Sequence, residues 1–377
     1  MVTMQCIDKE RKGVKILTYI LKDETDRVVR VSADKLKEMI KNKQIVVSNL
    51  KLASNGRLFS VKEEEKRTKI DRALVLRIQK ELETIRKNGE FFKLCFNTVD
   101  NLDKYRNGAK VILGTDESEN LILVKEGSAL VLSALPYEIV NGKSLFEDIK
   151  LVRYIDITNV ITSELTNMKN MFKGCTGLEE LRWRINSKKV VDMSGLFEGC
   201  LSLSRVDLNI LNTSKVIDMS RMFASTAFEK LDLRNFDTHN VKNYVGMFEE
   251  CSELEDIDIS HFVFNGEIGI QGMFRWCDSI KEIDLSGIDY TSMSIINISG
   301  LFYGCSDVLK INMGEIPLAY KDILMNALFK KCNKLEVLVM HGYADDVTNE
   351  LKQLLKELCP KLKLIKAGKK LINLQNQ

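Results

Sequence analysis

The segment LFEGCLSLSRVDL, residues 196–208, contains the pattern that decides the fold. Its first five residues recur along the chain, and the phenylalanine stands in eight copies at intervals of 25 to 28 residues. The eight are Phe146, Phe172, Phe197, Phe223, Phe248, Phe274, Phe302 and Phe329. A fixed period of this length is typical of repeat proteins, in which each copy stacks on the next. We therefore predict that the eight rings form one stack inside a continuous coil.

A cysteine follows the repeat phenylalanine by three residues in six of the eight copies. These are Cys175, Cys200, Cys251, Cys277, Cys305 and Cys332. Equal spacing places the thiols on the inner side of successive coils, where cysteine behaves as a small apolar residue. Zinc sites use cysteine pairs two to four residues apart, and the sequence contains no C-x-x-C. We therefore predict a packing role, no metal site and a reducing compartment.

Apolar residues on both sides of each phenylalanine indicate two buried faces. In the quoted copy Leu203, Val206 and Leu208 follow it, and the alternation at their end predicts a short strand with one buried side. Upstream, apolar residues recur three apart, which predicts a second, helical or irregular side. Stacked coils would bring the strands about 4.8 Å apart, as in a parallel sheet. The expected class is a right-handed α/β solenoid with a parallel sheet.

The repeat resembles the BspA-like class of bacterial leucine-rich repeats. The resemblance is carried by Met/Leu-Phe-x-x-Cys-x-x-Leu-x-x-Leu-Asp-Leu, with an Asn-Phe-Asp-Thr element at 235–238 and an Asp-Met-Ser element at 218–220. It covers about residues 144–366. The resemblance implies a leucine-rich-repeat solenoid that binds proteins, often on bacterial surfaces, and it implies no shared catalytic residue.

The chain around the repeats predicts four regions. They are a small α+β head at 1–62, a connecting and capping region at 63–143, about eight leucine-rich-repeat coils at 144–349, and a capping helix, strand and basic tail at 350–377. Within the head we expect short strands and a helix that begins after Ser32. The capping region is expected to hold a helix over residues 63–87, followed by strands at 91–96, 110–113 and 121–124.

Composition narrows the classes of protein. Hydrophobic residues make up 45% and charged residues 29%, as in globular proteins, and no apolar run is long enough to span a membrane. Five consecutive charged residues, 8–12, stand where a signal peptide needs an apolar core, so we expect a cytoplasmic protein. The basic residues of the 63–87 helix are interleaved with acidic ones, which favours nucleic-acid contact only indirectly, or through the basic head.

Polar side chains at matching strand positions are the candidate binding residues. Five aspartates would line up on the outward face, where they either accept hydrogen bonds from turn amides or belong to a concave binding face that runs from basic to acidic. The candidates are Arg182, Arg184, Arg205, Asp207, Lys230, Asp232, Arg234, Asp256, Asp258, Glu282 and Asp284.

These features favour a non-enzymatic protein that recognises a protein partner and needs no cofactor. Because binding alone can block an active site, an inhibitor of a bacterial or phage enzyme, such as a defence enzyme, is one specialisation. The alternatives are an exported adhesin and a binder of a nucleoprotein. A catalytic pair of Cys95 or Cys359 with His239, His261 or His341 has no local motif to support it.

Overall fold

The chain divides into two compact units, residues 1–66 and 67–377, in the computed structural model. In the first unit the structure describes the backbone of residues 3–11, 14–22, 28–32, 50–52 and 58–60. In the second it describes residues 67–86, 90–98, 110–113, 120–125, 127–133, 136–264, 268–288, 298–314, 328–340 and 347–374. All eight repeat phenylalanines therefore lie in the second unit.

Antiparallel strands form the described part of the first unit. A three-stranded sheet consists of β1 (Thr3–Arg11), β2 (Val14–Lys22) and β3 (Val28–Ser32), and a hairpin consists of β4 (Leu50–Leu52) and β5 (Leu58–Ser60). Strand β1 was not predicted, because its run of charged residues hides any alternation of apolar and polar positions. The helix expected after Ser32 lies outside the described residues.

The helix α1 (Arg72–Ile85) lies near the start of the second unit and is shorter than predicted. The expectation of a helix over residues 63–87 is wrong at its start. Strand β6 (Thr68–Lys69) occupies part of that range and pairs in parallel with β11 (Tyr137–Glu138). The side chain of Asp71 then accepts a hydrogen bond from the Leu74 amide at 2.8 Å, which begins the helix.

Four strands after α1 join the first two repeat strands. They are β7 (Phe92–Thr98), β8 (Lys110–Leu113), β9 (Asn120–Lys125) and β10 (Ser128–Ser133), and the repeat strands are β12 (Val152–Ile157) and β13 (Glu180–Trp183). The sheet order is β13-β12-β7-β10-β9-β8, with β7 parallel to both β12 and β10. The ring of Phe96 in β7 lies edge-on to Phe146 at 6.1 Å, so this region covers the first ring of the repeats.

The eight repeat phenylalanines form a continuous stack, as predicted. Neighbouring ring centroids are 5.3 to 6.4 Å apart, and neighbouring ring planes lie within 20° of each other. All eight side chains are fully buried. The stack therefore forms the centre of one hydrophobic core that continues from coil to coil.

Seven of the eight repeat phenylalanines lie in runs of tight turns, and Phe329 lies in a helical segment, so the side that the sequence left as helical or irregular is mostly made of turns. The Phe197 amide donates to the Met222 carbonyl of the next coil at 2.9 Å, whereas the Leu196 amide donates back to Met193 at 3.2 Å. Left-handed backbone recurs two residues before and two residues after the phenylalanine, and among the described residues eight of these positions hold a residue other than glycine. Such a residue costs roughly 1–2 kcal/mol in this conformation, and the hydrogen bonds between coils offset that cost.

The repeat cysteines have the packing role that was predicted. The Cys277 thiol donates to the Phe248 carbonyl of the preceding coil at 3.0 Å, and the other five thiols make the same contact at 2.9 to 3.2 Å. All six side chains are fully buried and are free thiols. The thiols therefore link one coil to the next as well as filling the core.

The later coils contribute short parallel strands. These are β14 (Lys230–Leu231), β15 (Asp256–Ile257), β16 (Glu282–Asp284), β17 (Lys310–Asn312) and β18 (Val337–Met340). Residues 206–208, predicted as strand, are not one in the structure, and only the neighbouring Arg205 forms a bridge, to Glu180. The described residues are thus mostly β, with parallel strands and few helices, which is consistent with a repeat, solenoid-like α/β fold.

In the C-terminal region a helix and two strands follow β18. Helix α2 (Asn349–Leu358) starts at Thr348, whose hydroxyl accepts from the Leu351 amide, and it buries Leu351 and Leu355. Strand β19 (Leu364–Ala367) pairs in parallel with β18, and β20 (Lys370–Asn373) then turns back antiparallel. Neither helix in the described part of the chain is long and apolar enough to span a bilayer.

Candidate functional site

The eleven candidate residues share one surface, which we call the strand face. Strand pairing aligns Glu180 with Arg205, Lys230 with Asp256, and Glu282 with Lys310. Because side chains alternate along a strand, the residues two and four positions further on form parallel columns on the same side. All eleven predicted side chains are exposed there.

Aspartates of the second column fix the turns that follow the strands. The carboxylate of Asp207 accepts a hydrogen bond from the amide two residues later at 3.0 Å, and Asp258 and Asp284 do the same at 3.0 and 2.8 Å. These contacts agree with the first of the two interpretations given above, in which the carboxylates accept hydrogen bonds from turn amides. The backbone that carries the strand face is therefore held by a local side-chain contact at the coils of Asp207, Asp258 and Asp284.

Ion pairs neutralise part of the strand face. Arg182 pairs with Glu180 at 3.0 Å, Arg234 with Asp232 at 2.7 Å, and Lys310 with Glu282 at 2.9 Å. These contacts reduce the basic-to-acidic gradient expected from the sequence, because Arg234 and Glu282 each have a partner of opposite charge.

Three cations of the strand face lack such a partner, and we call them the cationic strip. Among the described residues no ion pair involves Arg184, Arg205 or Lys230. They lie on three successive coils, and the next coil places the carboxylate of Asp256 beside Lys230 in the strand register. Arg205 and Lys230 lie in the first column, whereas Arg184 lies in the third column of the preceding coil, so the strip offers an external group two neighbouring cations and a third displaced along the strand direction.

Two clefts accompany the cationic strip. One, of about 250 Å³, is lined by Arg205 and Lys230 over a floor that includes Val206 and Leu231. It lies where the strand ladder is interrupted between those two coils. The other, of about 630 Å³, has Arg184 on its wall. The sequence did not indicate either cleft, since the repeat pattern predicted an unbroken sheet.

Hydrogen bonds keep the aspartates of the strand face ionised. The side-chain hydrogen bond from Arg234 lowers the pKa of Asp232 to about 2, and the hydrogen bonds from Ser260 lower the pKa of Asp258. Burial opposes ionisation of Asp284, yet the hydrogen bonds from Ser286 leave its pKa below the usual value. All three carboxylates are therefore charged at neutral pH.

We expect these carboxylates to make the protein acid-sensitive. Their pKa values are lower in the folded than in the unfolded chain, so their stabilising contribution is present above about pH 4 and is lost as the pH falls towards 2. Denaturant midpoints measured between pH 6 and pH 2.5 should fall over that window. The Asp232→Asn variant keeps an acceptor oxygen without the titration, so its midpoint should fall less. A midpoint of the parent protein that is independent of pH would contradict this expectation.

Burial raises the pKa of both thiols weighed for catalysis, and two of the three histidines have contacts in the described part of the chain. Burial, followed by the nearby Asp156 carboxylate, raises the pKa of the Cys95 thiol to about 11, and burial raises the pKa of Cys359 to about 12. His239 contacts Asp237 at 2.8 Å and His261 contacts the Leu233 carbonyl at 3.0 Å, while His341 lies outside the described residues. Within the described ranges no three His, Cys, Asp or Glu side chains are grouped to hold a metal ion.

Comparison with known proteins relates the repeats to one family. The family model described as "Mycoplasma protein of unknown function, DUF285" matches residues 140–262, 166–288 and 204–316. The first two matches are offset by 26 residues, which is the length of one coil. No curated protein and no solved structure matches the chain. The coils of this chain are therefore similar to DUF285, a family associated with BspA-like repeat proteins.

Proposed function

We propose that this protein is a leucine-rich-repeat solenoid that binds another protein through its strand face, without chemistry of its own. The observation that carries the proposal is the cationic strip: Arg184, Arg205 and Lys230 are exposed, lack ion-pair partners in the described part of the chain, and line two clefts. Placing the unpaired cations Arg205 and Lys230 on one cleft is unfavourable in isolation, and an acidic partner surface would relieve that repulsion.

The rigidity of the surface supports the same function. Aspartates fix the turns beside the strands, and the stacked core fixes the distance from coil to coil. A surface that is already ordered loses little conformational freedom when it binds. Recognition of a folded partner by such a surface would suffice to block a partner enzyme, and inhibition of a bacterial or phage enzyme is the specialisation that we propose.

The proposal includes a cytoplasmic, reducing location. Support comes from the buried free thiols, each bonded to a carbonyl of the neighbouring coil, which have a structural role only while they stay reduced. An exported adhesin would instead be cleaved by protease added to intact cells, whereas we expect the protein to be protected in that experiment.

Charge reversal in the cationic strip tests the binding function. In affinity capture from a reducing lysate, the double variant Arg205→Glu, Lys230→Glu should recover the partner at about one tenth of the parental yield or less. The two new carboxylates would repel the acidic surface of the partner that the two cations attract. Lys215→Glu is the matched control, since Lys215 is exposed on the same coil outside the strand face. Circular dichroism establishes that each variant is folded. Equal recovery by the folded double variant and the parent would show that the strand face is not the binding surface.

A further inference from the structure

Trp276 occupies a backbone position that suits glycine. It stands two residues after its repeat phenylalanine and has a φ of 61°, and the same position holds Gly174, Gly199 and Gly304 in other coils. The side chain is partly exposed, whereas Trp183, the other tryptophan, is buried and donates its indole N–H to the Asp207 carbonyl at 3.0 Å. The Trp276 ring packs over Gly304 of the next coil, where an added Cβ would clash with it, and the rest of the side chain stays at the surface.

Trp276 belongs to a group that we call the aromatic–cation cluster, made of Trp276, Tyr303, Arg275 and Lys331. The rings of Trp276 and Tyr303 meet edge-to-face at 5.2 Å. The Lys331 ammonium lies 4.4 Å from the Trp276 centroid, and the Arg275 guanidinium lies 5.2 Å from that of Tyr303. Both rings are partly exposed and both cations are exposed. Aromatic and cationic groups therefore reach the surface together over three successive coils.

A ladder of ion pairs leads to this cluster and positions Arg275. Alternating charges connect Lys173 to Glu198 at 2.9 Å, Glu198 to Arg221 at 2.8 Å, Arg221 to Glu249, and Glu249 to Arg275 at 3.8 Å. Glu249 is in closer contact with Arg221 than with Arg275, so the last cation of the ladder is only partly neutralised.

The remaining charges leave the cluster positive. The nearby Glu250 carboxylate accepts a hydrogen bond from Ser225, one coil away on the side opposite the cluster. Within the described residues Lys331 makes no ion pair, and its ammonium lies 4.4 Å from the centroid of Trp276 and 5.9 Å from that of Tyr303. Two cations beside two exposed rings suit a ligand that carries carboxylates next to an apolar group.

We propose that the aromatic–cation cluster is a second protein-docking site, for an acidic segment of a partner. Carboxylates of the segment pair with Lys331 and Arg275, and an apolar side chain lies on the exposed edge of Trp276. Tryptophan, tyrosine and arginine are the residue types that dominate binding at protein interfaces. The site lies on the turn side of the coils, so it is separate from the strand face and does not depend on the function proposed for that face.

A peptide titration tests the site. The probe is a synthetic heptapeptide in which three glutamates stand on each side of a phenylalanine, and its partner control carries glutamine in place of glutamate. Calorimetry should show the acidic peptide binding about tenfold or more tightly than the neutral one, with an affinity that falls as salt is added. Tryptophan emission should change on binding, because Trp276 is the tryptophan that reaches solvent.

Variants separate docking from a structural role. Trp276→Gly should weaken acidic-peptide binding about tenfold or more while the melting temperature stays within a few degrees of the parent, because glycine relieves the left-handed backbone strain and so offsets the lost ring contacts with Gly304 and Tyr303. Lys331→Gln should weaken it as well, and Lys215→Gln, which removes the same charge elsewhere, should not.

Three results would overturn the proposal. The first is equal binding of the two peptides, and the second is unchanged binding by folded Trp276→Gly and Lys331→Gln. The third is tighter binding of an oligothymidylate than of the acidic peptide through these same residues, which would assign the cluster to nucleic acid.

Discussion

Replacing Phe223 by alanine should lower the free energy of unfolding by about 3–5 kcal/mol. Phe223 is fully buried between Phe197 and Phe248, with centroid distances of 6.0 and 5.9 Å, and the ring of Phe228 meets it edge-on at 6.0 Å. The substitution leaves a cavity at the centre of the stack, and the rings on either side are held by their own coils and cannot close it.

Denaturant unfolding followed by circular dichroism gives this difference. Ile217→Ala is the matched control, because Ile217 lies on the same coil, is 51% exposed, and should change stability by no more than about 0.5 kcal/mol. Equal unfolding midpoints for Phe223→Ala and Ile217→Ala would mean that the ring stack does not hold the coils together.

Native protein should protect its buried thiols from alkylation by a factor of about a thousand or more relative to the unfolded chain. Burial raises the pKa of Cys251 to about 11 and that of Cys305 to about 12, so the reactive thiolate is scarce at pH 8 even before access is considered. A raised pKa in the folded state favours the neutral thiol, and the raised value is lost on unfolding. Both the chemistry and the packing therefore oppose reaction.

Mass spectrometry after timed alkylation resolves the individual cysteines. Cys95, which is only half-buried, is the internal comparison and should react before Cys277. The Phe223→Ala variant should speed labelling of Cys251 in particular, because the Cys251 thiol bonds to the Phe223 carbonyl. Alkylation of Cys277 in native buffer as fast as in denaturant would show that the described core opens freely.

The repeat core could be predicted from sequence because each coil makes the same contacts as its neighbours. The positions of Phe197, Cys200 and Leu203 are set by spacing within one coil, and stacking then repeats them without further information. The turns held by aspartates could also be predicted from the sequence, because each hydrogen bond joins a side chain to an amide only two residues away.

Features that depend on contacts between particular coils were harder to predict. The start of α1 is set by a strand pairing with residues about 70 positions later, and the break in the strand ladder at residues 206–208 departs from the repeat pattern. The partial neutralisation of the strand face depends on the directions in which side chains point, and the aligned repeat sequences do not give those directions. The ion-pair ladder left only a partial signal. Lys173, Glu198, Glu249 and Arg275 each follow a repeat phenylalanine, but Ala224 follows Phe223 and the middle cation of the ladder, Arg221, stands two residues before that ring.

Because the ring spacing is nearly uniform, the length of the stack is set by the number of coils. Excising residues 223–247 would join Met222 to Phe248 and bring the Phe197 ring against the Phe248 ring, one step of about 6 Å shorter. Each column of surface residues would lose one residue, and the spacing between the remaining coils would not change. Gain or loss of whole coils during evolution can thus change the length of the binding surface while the contacts in the core stay the same.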